Sequence, residues 1–210
     1  MPVFYLTDDL IFPPVSDAEE GVVAIGGDLS PERLMLAYRS GIFPWYNEEE
    51  PIFWWSPNPR FVLFPRKLHI SGSMKRILKR GEFTVSYDQD FDGVISQCKR
   101  IARKDREGTW ITDEMKQAYI QLHTLGHAKS IEVRKEGELV GGMYGIDLGK
   151  VFCGESMFSK VSNASKVALI HFLRAFEAKG GKLLDCQVYS DHLASMGAEE
   201  IDRITFLNML

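Results

Sequence analysis

The sequence predicts an α+β protein: a small N-terminal α/β domain over residues 1–62, then a larger domain over residues 63–210 with a mainly antiparallel sheet. Three observations lead there. Strand-like runs at 130–134, 138–147 and 150–157 are separated by the tight-turn pairs Glu136-Gly137 and Leu148-Gly149, the pattern of an antiparallel meander. A long apolar-faced helix at 164–178 follows, closed by Gly180-Gly181 and leading into a strand at 182–189. The first sixty residues differ, being acidic and crowded with proline and tryptophan.

Taken in order, the clearest early helix covers residues 31–40, with Ser30 as N-cap, Pro31 at the first helical position and Gly41 ending it. Residues 43–59 then hold four prolines and three tryptophans, a composition that predicts a rigid, aromatic, extended loop and no central strand. A helix at 73–80, a strand at 83–87 and a helix at 91–103 follow. Thr112 caps an amphipathic helix at 113–125, with acids in its first turn and Gly126 at its end. After the meander, helix and strand come a short helix and a tail. This order resembles the acetyltransferase-like (GNAT) fold.

A 210-residue chain that is 45% hydrophobic and 26% charged can bury a core and is not disordered. No apolar stretch is long enough to span a bilayer, and the N-terminus lacks the features of a secretory signal. Cys98, Cys153 and Cys186 are odd in number and lack metal-site spacing, so the expectation is a reduced, cytoplasmic protein. The net charge of −4 is uneven. Residues 1–62 carry ten acids against three bases, and residues 66–106 carry eleven bases against five acids. A concentrated basic segment suits a polyanion partner held at one place; it equally suits a solvated pair of helices.

The common catalytic motifs are missing: there is no GxSxG, Walker loop or HExxH. His123 and His127 have i,i+4 spacing, but Gly126 lies between them and no third ligand is near, which argues against zinc. Two acids stand out because each lies within an apolar strand: Glu155 in Cys153-Gly154-Glu155-Ser156-Met157, and Asp185 in Leu184-Asp185-Cys186-Gln187-Val188. A carboxylate there is costly to bury unless paired or put to use. Strand alternation places Asp185 and Gln187 on one face, where their heads can lie side by side. The alternative is an acid satisfied within a core network. The quartets Lys75, Arg76, Lys79, Arg80 and Lys99, Arg100, Arg103, Lys104 share one spacing, and each fits one helix face that could grip phosphates. Exposed tryptophans would offer stacking platforms for an unpaired base, although some of Trp45, Trp54, Trp55 and Trp110 must be core.

Several segments together resemble the bacterial leucyl/phenylalanyl-tRNA–protein transferase family. They are Gly26-Gly27-Asp28-Leu29-Ser30-Pro31-Glu32-Arg33-Leu34, residues 38–45 and 54–60, Gly108-Thr109-Trp110-Ile111-Thr112, residues 139–145 and 152–159, Asn163-Ala164-Ser165-Lys166, and residues 180–188. The resemblance runs through both halves of the chain. It implies a cofactor-free, metal-free transferase that moves leucine or phenylalanine, methionine less well, from aminoacyl-tRNA to the α-amine of a protein beginning with Arg or Lys. The product would enter N-end rule degradation.

By the same resemblance Asp185 and Gln187 form the catalytic pair, in which the amide oxygen draws a proton from the attacking amine and the carboxylate polarises the amide. Glu155 is the acid beside the reacting centre. Trp45 and Trp110 lie near the terminal adenosine, and Met143, Met157, Phe172, Phe176 and Leu184 form the aminoacyl pocket. Lys75, Arg76, Lys79 and Arg80 form the tRNA-binding face, and the protein acts as a monomer away from membranes. Ser190 departs from the Asn that some members carry before Asp191-His192. Two rival readings stand beside this one. An acetyltransferase would need a glycine-rich pyrophosphate turn, but residues 158–164 hold no glycine. A non-catalytic RNA-binding module would leave Asp185, Gln187 and Glu155 unexplained.

Overall fold

The computed structural model describes residues 4–100 and 111–210. The chain forms two sheets. The smaller is built from β1 (Phe4–Leu6), β2 (Val22–Gly26), β3 (Phe43–Pro44) and β4 (Phe53–Trp55), in the order β1-β2-β4-β3. Helix α1 (Pro31–Arg39) lies between β2 and β3 in the chain, capped by the Ser30 hydroxyl on the Arg33 N–H, with Pro31 at its first turn. Both features follow the sequence expectation.

The expected aromatic loop is corrected here. Residues 53–55 form β4, an inner strand paired with β2 on one side and β3 on the other. The prolines exclude a long strand only. Pro51 and Pro57 fall outside a three-residue strand, and Pro44 sits on the edge strand β3, where a missing N–H is tolerated. Trp54 is fully buried and its indole N–H donates to the Gly26 carbonyl at 2.8 Å.

The larger sheet begins with β5 (Arg60–Leu63). It is followed by α2 (Gly72–Arg80), β6 (Thr84–Tyr87), α3 (Phe91–Arg100) and α4 (Asp113–Thr124). The meander comes next as β7 (Ala128–Lys135), β8 (Glu138–Asp147) and β9 (Val151–Ser159). Helix α5 (Ala164–Ala178) leads to β10 (Leu183–Gln187), α6 (Asp191–Ala194), β11 (Glu199–Ile201) and α7 (Arg203–Leu207). The strand order is β11-β5-β10-β9-β8-β7-β6, and β9 and β10 are its parallel neighbours. A parallel pair needs a crossover, and α5 supplies it.

Side-chain alternation sorts this sheet into two cores. Val62, Val151, Cys153 and Leu183 face one side, packing with α3, α4 and the small sheet. Phe61, Leu63, Phe152 and Leu184 face the other, packing with Val167, Ile170 and Leu173 of α5. The mixed α+β order with a mainly antiparallel sheet is therefore present. No described helix is long and apolar enough to cross a membrane.

Candidate active site

A cavity of about 500 Å³ opens where the parallel pair parts. Strands β9 and β10 are paired only from Leu183–Val151 to Asp185–Cys153. Beyond that, residues 154–159 of β9 and residues 186–190, at the end of β10 and past it, diverge and line the opening, with Phe43, Pro44 and Trp45 lining it too. The crevice past the carboxyl ends of separating parallel strands is a general place for ligands in mixed sheets.

Three polar side chains meet at the cavity's inner end. Asp185 is fully buried and accepts two hydrogen bonds from Arg60, Nε to Oδ1 at 2.8 Å and Nη2 to Oδ2 at 2.6 Å. The guanidinium is held between the rings of Phe43 and Phe206, 4.8 and 4.5 Å from their centroids, and its Nη1 donates to the Gly41 carbonyl. Small sheet, large sheet and C-terminal helix thus converge on one ion pair. A buried charge of this kind survives only because its partner and hydrogen bonds are complete.

Gln187 ends β10 irregularly. Its φ is +66°, the pairing of β10 with β5 shifts between Asp185 and Gln187, and its backbone N–H donates to Asp185 Oδ1 at 2.9 Å. A left-handed conformation at a residue other than glycine is strained, and such positions cluster at functional sites. The bulge corrects the expected side-by-side pair. Strict alternation fails at Gln187, and its side-chain amide turns instead to Glu155, Nε2 to Oε1 at 2.8 Å. Asp185 touches the backbone of Gln187 and leaves its amide alone.

Glu155 is the better-connected acid. Tyr119 donates its hydroxyl to Oε2 at 2.9 Å, and the Tyr119 and Tyr38 hydroxyls are themselves hydrogen-bonded. Burial raises its pKa to about 7; hydrogen bonds from Tyr119, Tyr38 and Gln187 pull it down, and the charge of Asp185 adds to the rise. A carboxylate that can be charged or neutral near physiological pH suits proton-linked chemistry. Burial also holds the Cys153 and Cys186 thiols well above their usual range, so neither is a thiolate nucleophile.

The other expected site residues divide. Met143, Met157 and Leu184 give the cavity an apolar lining, and Trp45 lines it as well. Phe172 and Phe176 do not line it. They stack on each other at 5.2 Å and pack against Phe152, one layer behind the wall, because helical spacing turns both toward the sheet's second core. Lys75, Arg76, Lys79 and Arg80 are exposed along α2, whose Met74 faces inward. Lys99 is committed to Asp113 at 2.6 Å, which takes it out of the second quartet's free face. Trp110, Arg103 and Lys104 lie outside the described residues. His123 stacks on Phe91 at 4.3 Å and hydrogen-bonds the Ala128 carbonyl, a packing role, and the described residues hold no cluster fit for a metal ion. Sequence reasoning missed Arg60, Tyr38 and Tyr119. For Arg60 a signal existed, a lone charge opening the apolar run 60–63.

Comparison with known proteins adds the following. A family model described as leucyl/phenylalanyl-tRNA protein transferase matches residues 62–210, and the model of that family's N-terminal domain matches residues 27–58. The leucyl/phenylalanyl-tRNA–protein transferase of Flavobacterium johnsoniae is 60% identical over 209 residues, 99% of this chain and 99% of that one. Those of Syntrophobacter fumaroxidans and Escherichia coli O157:H7 are 55% and 57% identical, covering 100% and 90% of this chain and 90% and 80% of theirs. Among solved structures, a GCN5-related N-acetyltransferase from Kribbella flavida aligns with a TM-score of 0.39 at 12% identity, over 81% of this chain and 60% of that one. So loose a likeness adds nothing to the topology described above.

Proposed function

The chain belongs to the leucyl/phenylalanyl-tRNA protein transferase family, and from that premise we propose that it moves Leu or Phe, and Met less well, from aminoacyl-tRNA to the N-terminal Arg or Lys of proteins, marking them for N-end rule degradation. It acts as a cytoplasmic monomer and needs no cofactor, because an aminoacyl ester is already activated. The chain divides near residue 62, a reading supported by the two sheets and by the gap between the two family matches.

The reaction forms one C–N bond and breaks one C–O bond. The acceptor amine attacks the ester carbonyl, the ribose oxygen leaves, and the proton lost by the amine is the one the ribose oxygen gains. Position and hydrogen bonding are therefore what the protein supplies. One observation carries the assignment of roles: the Gln187 amide nitrogen is committed to Glu155, which leaves its oxygen as the acceptor for the attacking amine. An ionised carboxylate accepts hydrogen bonds and donates none, so it fixes which end of an amide faces it. Glu155 thereby takes the polarising role the resemblance gives to Asp185. Asp185 is the positioning residue that holds the Gln187 backbone in its strained turn, itself fixed by Arg60.

The wall of Met143, Met157 and Leu184 receives the unbranched-β side chain of the donor, a fit for adaptable apolar groups. Trp45 lies beside the adenosine, the role the resemblance also gives to Trp110. The exposed face of α2 grips the phosphates of the tRNA.

Incubation with leucyl-tRNA and an Arg-starting peptide, read by mass spectrometry, is expected to add one leucine at the peptide's N-terminus. Acetylation from acetyl-CoA in its place would contradict the reading. Replacing Lys75, Arg76, Lys79 and Arg80 by alanine is expected to weaken transfer from aminoacyl-tRNA and flatten its salt dependence, while transfer from aminoacyl-adenosine persists. Equal losses with both donors would remove α2 from the tRNA contact.

A further inference from the structure

Two hydroxyls behind Glu155 sit where packing alone calls for none. Helical spacing puts Leu34 and Tyr38 on the buried face of α1, and Met115, Tyr119 and Leu122 on that of α4. Both tyrosines are fully buried in one largely apolar core. Phenylalanine would pack there as well and bring no hydroxyl to satisfy. The hydroxyls form a row instead: Tyr38 is hydrogen-bonded to Tyr119, and Tyr119 donates to Glu155 Oε2 at 2.9 Å.

The row has one sense. Tyr119 owns a single hydroxyl proton and gives it to Glu155, so the bond between the two hydroxyls is donated by Tyr38. With the Gln187 amide on Oε1, both Glu155 oxygens are acceptors, the arrangement of an ionised carboxylate. A proton arriving on Oε2 would meet the Tyr119 hydrogen head-on and force the row to reverse. Because Tyr38 is itself buried, the row ends in the core, so it orients the carboxylate and carries no proton to solvent.

The other groups around Glu155 are Asp185 of β10 with its partner Arg60 of β5, Cys153 of its own strand, and Tyr144 of β8, whose ring centroid lies 5.6 Å from that of Tyr119. His192 of α6 lines the same cavity, and burial and the charge of Lys166 lower its pKa. Burial holds the Tyr38, Tyr119 and Cys153 pKa values well above their usual range, so all three keep their protons while Glu155 titrates.

We propose that Tyr38 and Tyr119 are positioning residues whose hydroxyl row fixes the Glu155 carboxylate against the Gln187 amide. The inference rests on the transferase reading and deepens it. Helix α1 contributes no lining residue to the cavity, and through Tyr38 it bears on the reacting centre all the same.

Single-turnover transfer from leucyl-adenosine to an Arg-starting peptide, followed against pH with melting curves, tests this in Tyr119→Phe and Tyr38→Phe. Losing the hydroxyl that donates to the carboxylate is expected to move the rise near pH 7 upward by about one unit in Tyr119→Phe. That variant is then about tenfold slower than the unmutated protein on the acid side of the rise, and within about twofold of it at alkaline pH. Tyr38→Phe, one bond further away, is expected to move the rise the same way by about half as much. A merely structural role would lower the melting temperature, or the rate by one factor at every pH, and leave the midpoint in place; that result overturns the proposal. The Glu155 carboxyl can also be titrated directly, by its infrared absorption taken as the difference from Glu155→Gln, which needs no transfer. The same upward displacement is expected in both variants, and an unmoved midpoint overturns the role of the row. An unmutated protein that transfers at no pH, with a displaced midpoint in the variants, overturns the transferase reading alone.

Discussion

Two buried glutamates in one sheet differ in what their hydrogen bonds reach. Glu132, in β7, is fully buried and accepts from the Ser130 and Ser86 hydroxyls, both at 2.6 Å, and from the Gln89 backbone N–H. Its donors are local to β6 and β7, and it does not line the cavity. Glu155, in β9, is nearly as buried, but its donors are a tyrosine pair from α1 and α4 and the amide of Gln187, and it lines the cavity. Burial in an apolar strand is common to both. What differs is whether the hydrogen-bond chain ends in the core or continues to an open space through a group that a substrate can touch.

The largest expected effect would break that contrast if it failed. Gln187→Ala is expected to lower the single-turnover rate about 10²–10³-fold, as loss of a preorganised polar group does, with donor binding and melting temperature nearly unchanged. Glu132→Gln is expected to leave the rate per folded molecule intact. If both variants lowered the rate alike, the distinction between the two acids would collapse.

Arg60→Ala comes next and acts on stability. It strands Asp185 as a buried, unpaired carboxylate, and a cost of about 3–5 kcal/mol is expected in denaturant unfolding. Replacing both residues by apolar ones is expected to recover much of the stability and none of the rate, because the Gln187 backbone would lose its anchor. Full activity in that double variant would show that Asp185 has no positioning role.

Glu132→Ala sharpens the other side. Leaving the Ser130 and Ser86 hydroxyls without their acceptor is expected to cost about 1–3 kcal/mol in thermal unfolding, again with the rate per folded molecule preserved.

Much of this was legible in the sequence, and the limits are instructive. The meander, α1 with its Ser30 cap, α4 with its Thr112 cap and α5 were readable because turn pairs, caps and helical period all agree there. β4 was not, because proline spacing marks where a strand cannot be and says little about a three-residue strand between prolines. Asp185, Gln187 and Glu155 stood out as polar groups in apolar strands, yet their wiring did not follow. A two-residue period assumes a regular strand, and the bulge at Gln187 breaks it. Glu132 passed unremarked, although Ser130 and Glu132 share a strand face. Tyr38 and Tyr119 lie 81 residues apart and looked like ordinary helix core; only the fold brings them to Glu155. Phe172 and Phe176 followed helical spacing into the core behind the cavity wall.

The central claim is that ionised Glu155 holds the Gln187 amide with its oxygen toward the acceptor amine. Protonated Glu155 can instead donate to that oxygen and turn it away, so the rate must rise as Glu155 loses its proton. The folding linkage has the opposite sense. A carboxyl raised from 4.5 to about 7 binds its proton more tightly in the folded state, so its effect on stability declines as pH rises between those values and is flat above. The deciding measurement is the pH profile of single-turnover transfer for the unmutated protein and for Glu155→Gln, with folding followed in parallel. A rise in rate centred near pH 7 is expected in the unmutated protein and its absence in Glu155→Gln, which retains only the rise due to the acceptor amine near its ordinary pKa of ~8. The same rise near pH 7 in both proteins would contradict it.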